Sequence, residues 1–149
     1  MLFRNIFRIL RYMIRKEVQK IINEVYPQIE KHYGFSKFQE CTPFVEVHHN
    51  IYARYSGIED ADGDETPDAE FDADDNTIYV YFPQMKSRKH IIQTLIHEYK
   101  HYLQSPLWMK RYRTMGYDYF THPYEIQALE EEKNWKIFDS GNSSIKKVA

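Results

Sequence analysis

The amino-acid sequence predicts one α+β domain, in which a small mixed sheet packs on a long N-terminal helix and on a second helix that carries two histidines. Apolar residues recur every three or four positions over residues 2–25 and 87–104, which is the period of an amphipathic helix. Apolar and aromatic residues alternate over 78–82, as in a strand. The length of 149 residues suits a single core. We expect the domain to span residues 1–139 and the polar residues 140–149 to form a flexible tail.

Composition excludes several classes of protein and of metal site. With 42% hydrophobic and 28% charged residues, the chain is neither collagen-like nor wholly disordered. Its 20 basic and 22 acidic residues give a net charge of −2, so no nucleic-acid partner is expected. The single cysteine, Cys41, excludes a disulfide within the chain and a cysteine-rich zinc site. The seven histidines are therefore the first candidates for metal ligands.

The first predicted helix covers residues 2–25 and ends near Pro27. Its first twenty residues contain one acid, Glu17, and six basic residues: Arg4, Arg8, Arg11, Arg15, Lys16 and Lys20. One interpretation is a packing helix with a solvated basic face, and the other is a basic amphipathic helix that contacts a membrane or a polyanion. No apolar run is long enough for a transmembrane segment and no secretory signal is present, so we expect a cytoplasmic protein.

A region of β-branched and aromatic residues at 44–55 predicts one or two strands. The acidic segment that follows, residues 59–75, contains ten acids and no base, and its Gly63 and Pro67 favour a loop. The spacing of three of these acids resembles the start of a calcium-binding EF-hand loop: Asp60, Asp62 and Asp64. Glu65 then stands where the motif requires glycine, so we expect a solvated loop, with a calcium site as the alternative.

Three further elements are predicted downstream. A short strand runs from Ile78 to Phe82 and is terminated by Pro83. A helix follows from about Ser87 to Gln104 and is closed by Pro106. Because proline suits the first position of a helix, a third helix is expected from Pro123 toward Phe138.

The predicted helix from about Ser87 to Gln104 contains His97-Glu98-Tyr99-Lys100-His101, an H-E-x-x-H arrangement. Residues four apart lie on one face of a helix, so both imidazoles can bind a single ion. Glu98 lies one step round the helix, where a carboxylate can accept a proton from water at the metal. The spacing therefore indicates a metallohydrolase, whereas two solvated histidines on an amphipathic helix are the simpler alternative.

The segment from Thr94 to Leu103 resembles the active-site helix of zincin metallopeptidases, preceded as in that clan by an edge strand, here Ile78 to Phe82. Lys100 departs from the family, which usually has an uncharged residue there. No glycine and third histidine follow soon after His101, which favours the gluzincin branch over the metzincins. The resemblance covers Asn76 to about Phe138 and implies a zincin-like fold, a zinc cofactor and peptide-bond hydrolysis.

A catalytic zinc usually binds three protein side chains, and the gluzincin resemblance implies a glutamate on a later helix. Glu125 is the favoured third ligand, with Glu130 and His122 as alternatives. The acid that often follows the ligand by four residues is replaced by Leu129, so we expect Glu132, an acid of the acidic segment or a backbone carbonyl to orient the histidine. The donor to the oxyanion stays open among four residues: Tyr117, Tyr119, His122 and Tyr124.

Together these residues predict a zinc metallopeptidase with His97, His101 and Glu125 as metal ligands and Glu98 as general base. A peptide or protein substrate would pair as a strand with the edge strand. The alternative is a non-catalytic metal-binding or interaction module whose basic N-terminal helix contacts a membrane or polyanion.

Overall fold

The computed structural model of the chain describes residues 2–58 and 65–139. Its elements are α1 (Leu2–Tyr33), β1 (Phe44–His48), α2 (Ile51–Ser56), β2 (Ala69–Asp72), β3 (Thr77–Tyr81), α3 (Arg88–Leu103), α4 (Pro106–Thr114) and α5 (Pro123–Glu131), with 3₁₀ turns at Phe82–Gln84 and Glu132–Trp135. The α+β class and the long N-terminal helix are confirmed. The expected tail and the first three acids of the calcium-like spacing lie outside the described residues.

The three strands form a mixed sheet in the order β1-β3-β2. β1 is parallel to β3, and β2 is antiparallel to it. The prediction of an edge strand at Ile78–Phe82 is therefore wrong, because β3 is the central strand of the sheet. Both faces of β3 are covered, since Ile78 and Val80 are buried in the hydrophobic core and Tyr79 and Tyr81 are buried on the opposite face.

The edge next to α3 is formed instead by β2, which lies within the predicted acidic loop. Ala69 and Phe71 turn toward the core, while Glu70 and Asp72 form ion pairs with Arg54 of α2 at 3.0 Å and 3.1 Å. The Arg54 guanidinium also lies 3.4 Å from the centroid of the Tyr79 ring. The positive charge of Arg54 therefore neutralises Glu70 and Asp72, two of the acids whose charge predicted a loop in this segment.

The second half of the predicted 44–55 strand region is helical. α2 begins after Asn50, whose side chain accepts a hydrogen bond from the Ala53 amide at 2.7 Å. It ends at Gly57, whose φ of 75° is the left-handed conformation common at helix C-termini. The caps thus override the strand preference of Ile51 and Tyr52.

The predicted end of the first helix near Pro27 is also wrong, because α1 continues to Tyr33. Proline removes one backbone hydrogen bond from the helix. Val25 and Ile29 on either side of it are fully buried, and this packing holds the helix together. Gly34, at φ 75°, ends the helix by donating its amide to the Glu30 carbonyl at 2.9 Å.

The hydrophobic core lies between α1, the sheet and α3, as predicted. It joins side chains of α1 (Val18, Ile21, Ile22, Val25, Ile29), of the sheet (Val47, Ile78, Val80) and of α3 (Ile91, Ile92, Leu95, Ile96). α3 matches its predicted bounds closely, since Ser87 caps its start and Gln104 follows its last residue. This core fixes the position of the helix that carries the two histidines.

Two differences remain downstream of α3. Pro106 does close α3, but it also occupies the first turn of α4, a helix that the sequence interpretation missed. The predicted third helix begins at Pro123 as expected, but it passes into a 3₁₀ turn at Glu132–Trp135. Among the described residues, no helix has the length and apolarity that crossing a membrane requires.

Candidate metal centre

Helix α3 places His97 and His101 one turn apart at the floor of an open cleft of about 850 Å³. Both histidines are buried, although they lie on the polar face of the helix together with His90, Thr94 and Gln104. The opposite face of α3 is fixed by Leu95 and Ile96, which are almost fully buried in the core. The imidazoles are therefore held in place by the packing of the helix rather than by a loop.

Helix α5 packs against α3 and brings Glu125 to the same cleft. His122 caps this helix by accepting the Tyr124 amide on its Nδ1 at 3.1 Å, and Pro123 follows at the first helical position. This start places Glu125 in the first turn, facing α3. The N-terminus of a helix carries a partial positive charge, which stabilises the Glu125 carboxylate at this position.

Three side chains meet at this point and form a group that could hold a metal ion: His97, His101 and Glu125. The Nε2 atoms of His97 and His101 lie 3.2 Å apart. The Glu125 carboxylate contacts both rings, with one oxygen 2.7 Å from His101 Nε2 and the other 3.2 Å from His97 Nε2. The three predicted ligand residues are thus brought together, and all donor atoms of the group lie within 4.8 Å of one another.

The remaining nitrogen of each ring has its own partner. Nδ1 of His97 lies 2.8 Å from a carboxylate oxygen of Glu132, and Nδ1 of His101 lies 2.7 Å from the side-chain oxygen of Gln104. Gln104 is oriented in turn, because its amide nitrogen donates to the Tyr124 carbonyl at 3.0 Å. Both partners can accept a hydrogen bond from Nδ1, so a neutral ring would carry its proton there and direct the Nε2 lone pair into the site.

Leu129 stands where the zincin resemblance implies an acid that orients a histidine. Glu132 is one of the residues predicted to replace that acid. Gln104 was not predicted to orient a histidine. It follows the motif by three residues, and only the end of α3 at this point turns its amide back toward His101. A glutamine at the C-cap of a motif helix carries no signal that is specific enough to predict this contact.

Glu98 is buried beside the histidines and points toward β2. Its carboxylate accepts a hydrogen bond from the backbone amide of Phe71. In the antiparallel pair of β2 and β3, Tyr81 donates its amide to Asp68, so Phe71, three residues after Asp68, directs its amide away from β3. Burial raises the pKa of Glu98, while the nearby rings of His101 and His97 oppose that rise. The carboxylate is therefore a stronger base than an exposed glutamate.

The charges of the site are strongly coupled when no metal is bound. Burial alone would lower the pKa of His97, but its hydrogen bonds to Glu125 and Glu132 outweigh this and raise the pKa to about 10. The pKa of His101 is also raised, because Glu125 and Glu98 outweigh the effect of burial. Burial raises the pKa of Glu125, yet hydrogen bonds with both rings lower it overall. The protonated imidazoles thus supply the positive charge beside these carboxylates that a metal ion would otherwise supply.

The alternative third ligands lie away from this group. Glu130 is exposed and forms an ion pair with Lys133 at 2.9 Å. The ring of His122 is buried, with its Nε2 3.2 Å from the Met109 carbonyl, and its other nitrogen caps α5. Neither side chain contributes a donor atom to the cluster of His97, His101 and Glu125.

Of the four tyrosine and histidine candidates for an oxyanion donor, Tyr119 reaches the metal group. It lines the cleft and forms a side-chain hydrogen bond with Glu125. Burial and the carboxylate of Glu125 raise its pKa, so the phenol stays protonated and able to donate.

Comparisons with known proteins identify no relative: no family model, no curated protein and no solved structure matches the chain. No family is therefore identified for the chain. The assignment of this site depends on the geometry of its own residues.

Proposed function

We propose that the chain is a zinc-dependent metallopeptidase, with zinc bound by His97, His101 and Glu125 and with Glu98 as the general base. The observation that carries this proposal is the convergence of two imidazoles and one carboxylate beside a second, buried carboxylate in an open cleft. A structural zinc site would use four protein ligands, whereas three leave a coordination position for water and substrate.

The donor set fits zinc in number, chemistry and spacing. Tetrahedral geometry at the usual zinc–ligand distances separates neighbouring donor atoms by about 3.3 Å. The two Nε2 atoms are separated by 3.2 Å, which is close to this value. The Glu125 carboxylate approaches the rings through different oxygens, at 3.2 Å from His97 and 2.7 Å from His101, so it would turn to direct one oxygen at the ion or bind through both. Glu132 and Gln104 would hold neutral rings in the tautomer that a metal requires.

Zinc bound here would lower the pKa of a water molecule and polarise the carbonyl of a scissile peptide bond. The residues of the chain perform the remaining steps. Glu98 would accept a proton at its carboxylate and later pass it to the leaving amine. Tyr119 would donate a hydrogen bond to the carbonyl oxygen as negative charge develops on it. The amide of Phe71 keeps the Glu98 carboxylate directed at the cleft.

An extended peptide would pair with β2, the edge strand that lines the cleft. This replaces the pairing with Ile78–Phe82 that the sequence suggested, because β3 already has a neighbour on each side. Strand addition uses backbone hydrogen bonds and so suits a peptide or protein substrate. It would also place a peptide bond near Glu98, since Phe71 of the same strand contacts that carboxylate.

The substitution Glu98→Gln tests the activity separately from metal binding. The zinc-loaded protein is incubated with a peptide library, and cleavage products are identified by mass spectrometry. We expect the variant to retain zinc and its thermal midpoint while cleavage falls by about 10²–10⁴-fold, because the general base is lost. Glu130→Gln, on the exposed face of α5, is the matched control and should leave cleavage unchanged. Equal cleavage by the Glu98 variant would contradict the role of Glu98 as general base, and no cleavage by the zinc-loaded wild type would favour a non-catalytic module.

A further inference from the structure

The first thirteen residues of α1, Leu2–Ile14, form an N-terminal arm that does not belong to the core. All of its described side chains are exposed except Arg11, which is half-buried. Just beyond the arm, the Arg15 guanidinium donates to the Val47 carbonyl at 3.0 Å, and the first buried residue of α1 is Val18. At 1.5 Å per residue the arm is about 20 Å long.

The arm is divided into an apolar face and a basic face. At 100° per residue its basic residues Arg4, Arg8 and Arg11 fall within an arc of about 60°. Its large apolar residues occupy an arc of about 160° on the other side of the helix: Leu2, Phe3, Ile6, Phe7, Ile9, Leu10 and Ile14. Phe3 is 75% and Phe7 60% exposed, so the described chain does not cover this face.

The apolar face of the arm overlaps only one margin of the core stripe of α1. The core stripe runs through Val18, Ile21, Ile22, Val25, Tyr26 and Ile29, and only Ile21 and Val25 align with the apolar face. On the helical wheel the centre of the stripe lies about 110° from the centre of the apolar face. Most of this face therefore points away from the side of the helix that packs on the body, and its exposed side chains are available to a surface outside the domain.

The charges of the arm identify the kind of surface. Residues 2–16 contain no acid, while Arg4 and Arg11 lie at one margin of the apolar face and Lys16 at the other. Two copies of the arm would bring basic margins together with no acid in either to pair with them. An anionic lipid surface satisfies both features at once, since acyl chains accept the phenylalanines and headgroups attract the basic margins.

We infer that the N-terminal arm lies in the interface of an anionic lipid bilayer and holds the domain at the membrane surface. This inference goes beyond the proposed peptidase function and does not depend on it. The arm would lie along the surface of the bilayer and would not cross it. This agrees with the lack of a membrane-spanning helix among the described residues.

Vesicle flotation of the full chain tests the inference. The vesicles are phosphatidylcholine alone or phosphatidylcholine with about one-third phosphatidylglycerol. We expect binding to the anionic vesicles that weakens as salt is raised. Phe7→Ser and Leu10→Ser should each weaken binding by about tenfold or more. Tyr12→Ser is the matched control, because Tyr12 is exposed on the same arm but lies outside the apolar arc.

These variants, together with Arg4→Glu, distinguish a lipid surface from other binding partners of the arm. Unchanged thermal midpoints and zinc content will show that the serine variants fold, since neither residue contacts the core. Absence of binding to anionic vesicles would overturn the inference. So would a dimer in solution that Phe7→Ser converts to a monomer, which would assign the face to a second copy. Vesicle binding that is lost in Arg4→Glu but retained in Phe7→Ser and Leu10→Ser would assign the arm to polyanions.

Discussion

The carboxylate of Glu132 lies 2.8 Å from Nδ1 of His97, on the side of the ring that faces away from the proposed metal. Glu132 is the first residue of the 3₁₀ turn that follows α5, so the change from α-helix to tighter turn directs it at the ring. The same helix supplies Glu125 to the other nitrogen of His97. One short segment of chain thus provides both a candidate ligand and the residue that orients a second ligand.

The substitution Glu132→Gln should weaken zinc binding without removing it. A residue that orients a metal-bound histidine typically contributes 10–100-fold to metal affinity, and we expect a loss in that range. Competition with a chromophoric chelator measures the affinity. Glu130→Gln is the control, since Glu130 pairs with Lys133 on the exposed side of α5. Equal losses in both variants would show that the effect is general and not due to His97.

Replacement of Gln104 by leucine should weaken zinc binding and also destabilise the fold. The side chain links His101 Nδ1 to the Tyr124 carbonyl, so its loss leaves the buried Nδ1 of His101 without its partner. Such a group costs roughly 1–3 kcal/mol. Urea unfolding of the metal-free protein measures the change. Gln93→Leu, on a less buried position of α3, should change the free energy of unfolding much less.

The stability of the metal-free chain should fall as the pH is raised. The pKa of His97 is about 10 in the folded chain, above its ordinary value of 6.5. Its proton therefore stabilises the fold fully below about pH 6.5, and this stabilisation is lost as the pH rises through 10. We expect several kcal/mol over this interval from urea unfolding at successive pH values. The zinc-loaded chain should lack this fall, because the metal replaces the proton.

Arg54→Ala should loosen β2 and lower peptidase activity. The side chain pairs with Glu70 and Asp72 and stacks on Tyr79, so its loss leaves two carboxylates side by side on an edge strand. We expect a destabilisation of about 1–3 kcal/mol by urea unfolding. Cleavage should decline because β2 supplies the amide that holds Glu98. Arg54→Lys should restore part of the stability, and full activity in the alanine variant would contradict the proposed role of β2.

The sequence predicted the helix that carries the motif because its signals agree. Ser87 begins α3, Pro106 closes it, and the apolar residues between them repeat with a helical period. Glu125 was also accessible to sequence reasoning, since Pro123 fixes where α5 begins. Each of these residues acts through its neighbours in the chain, so local sequence contains the information.

The elements that were wrong depend on distant partners. β2 is a strand because Arg54 neutralises Glu70 and Asp72, and that pairing is made only after the chain has folded. α1 continues through Pro27 because core packing compensates for the lost hydrogen bond. The central position of β3 follows from the pairing of β2, so the error at the acidic segment also produced the error about the edge strand.

The zinc content of the purified chain tests the central claim most directly. The protein is dialysed against metal-free buffer and its zinc is measured by mass spectrometry. We predict stoichiometric zinc in the wild type and its loss in His101→Ala, because His101 is one of the three proposed ligands. His90→Ala should retain zinc, since His90 lines the same cleft but pairs with Asp68. Wild-type protein without zinc, or zinc that His101→Ala retains, would contradict the account.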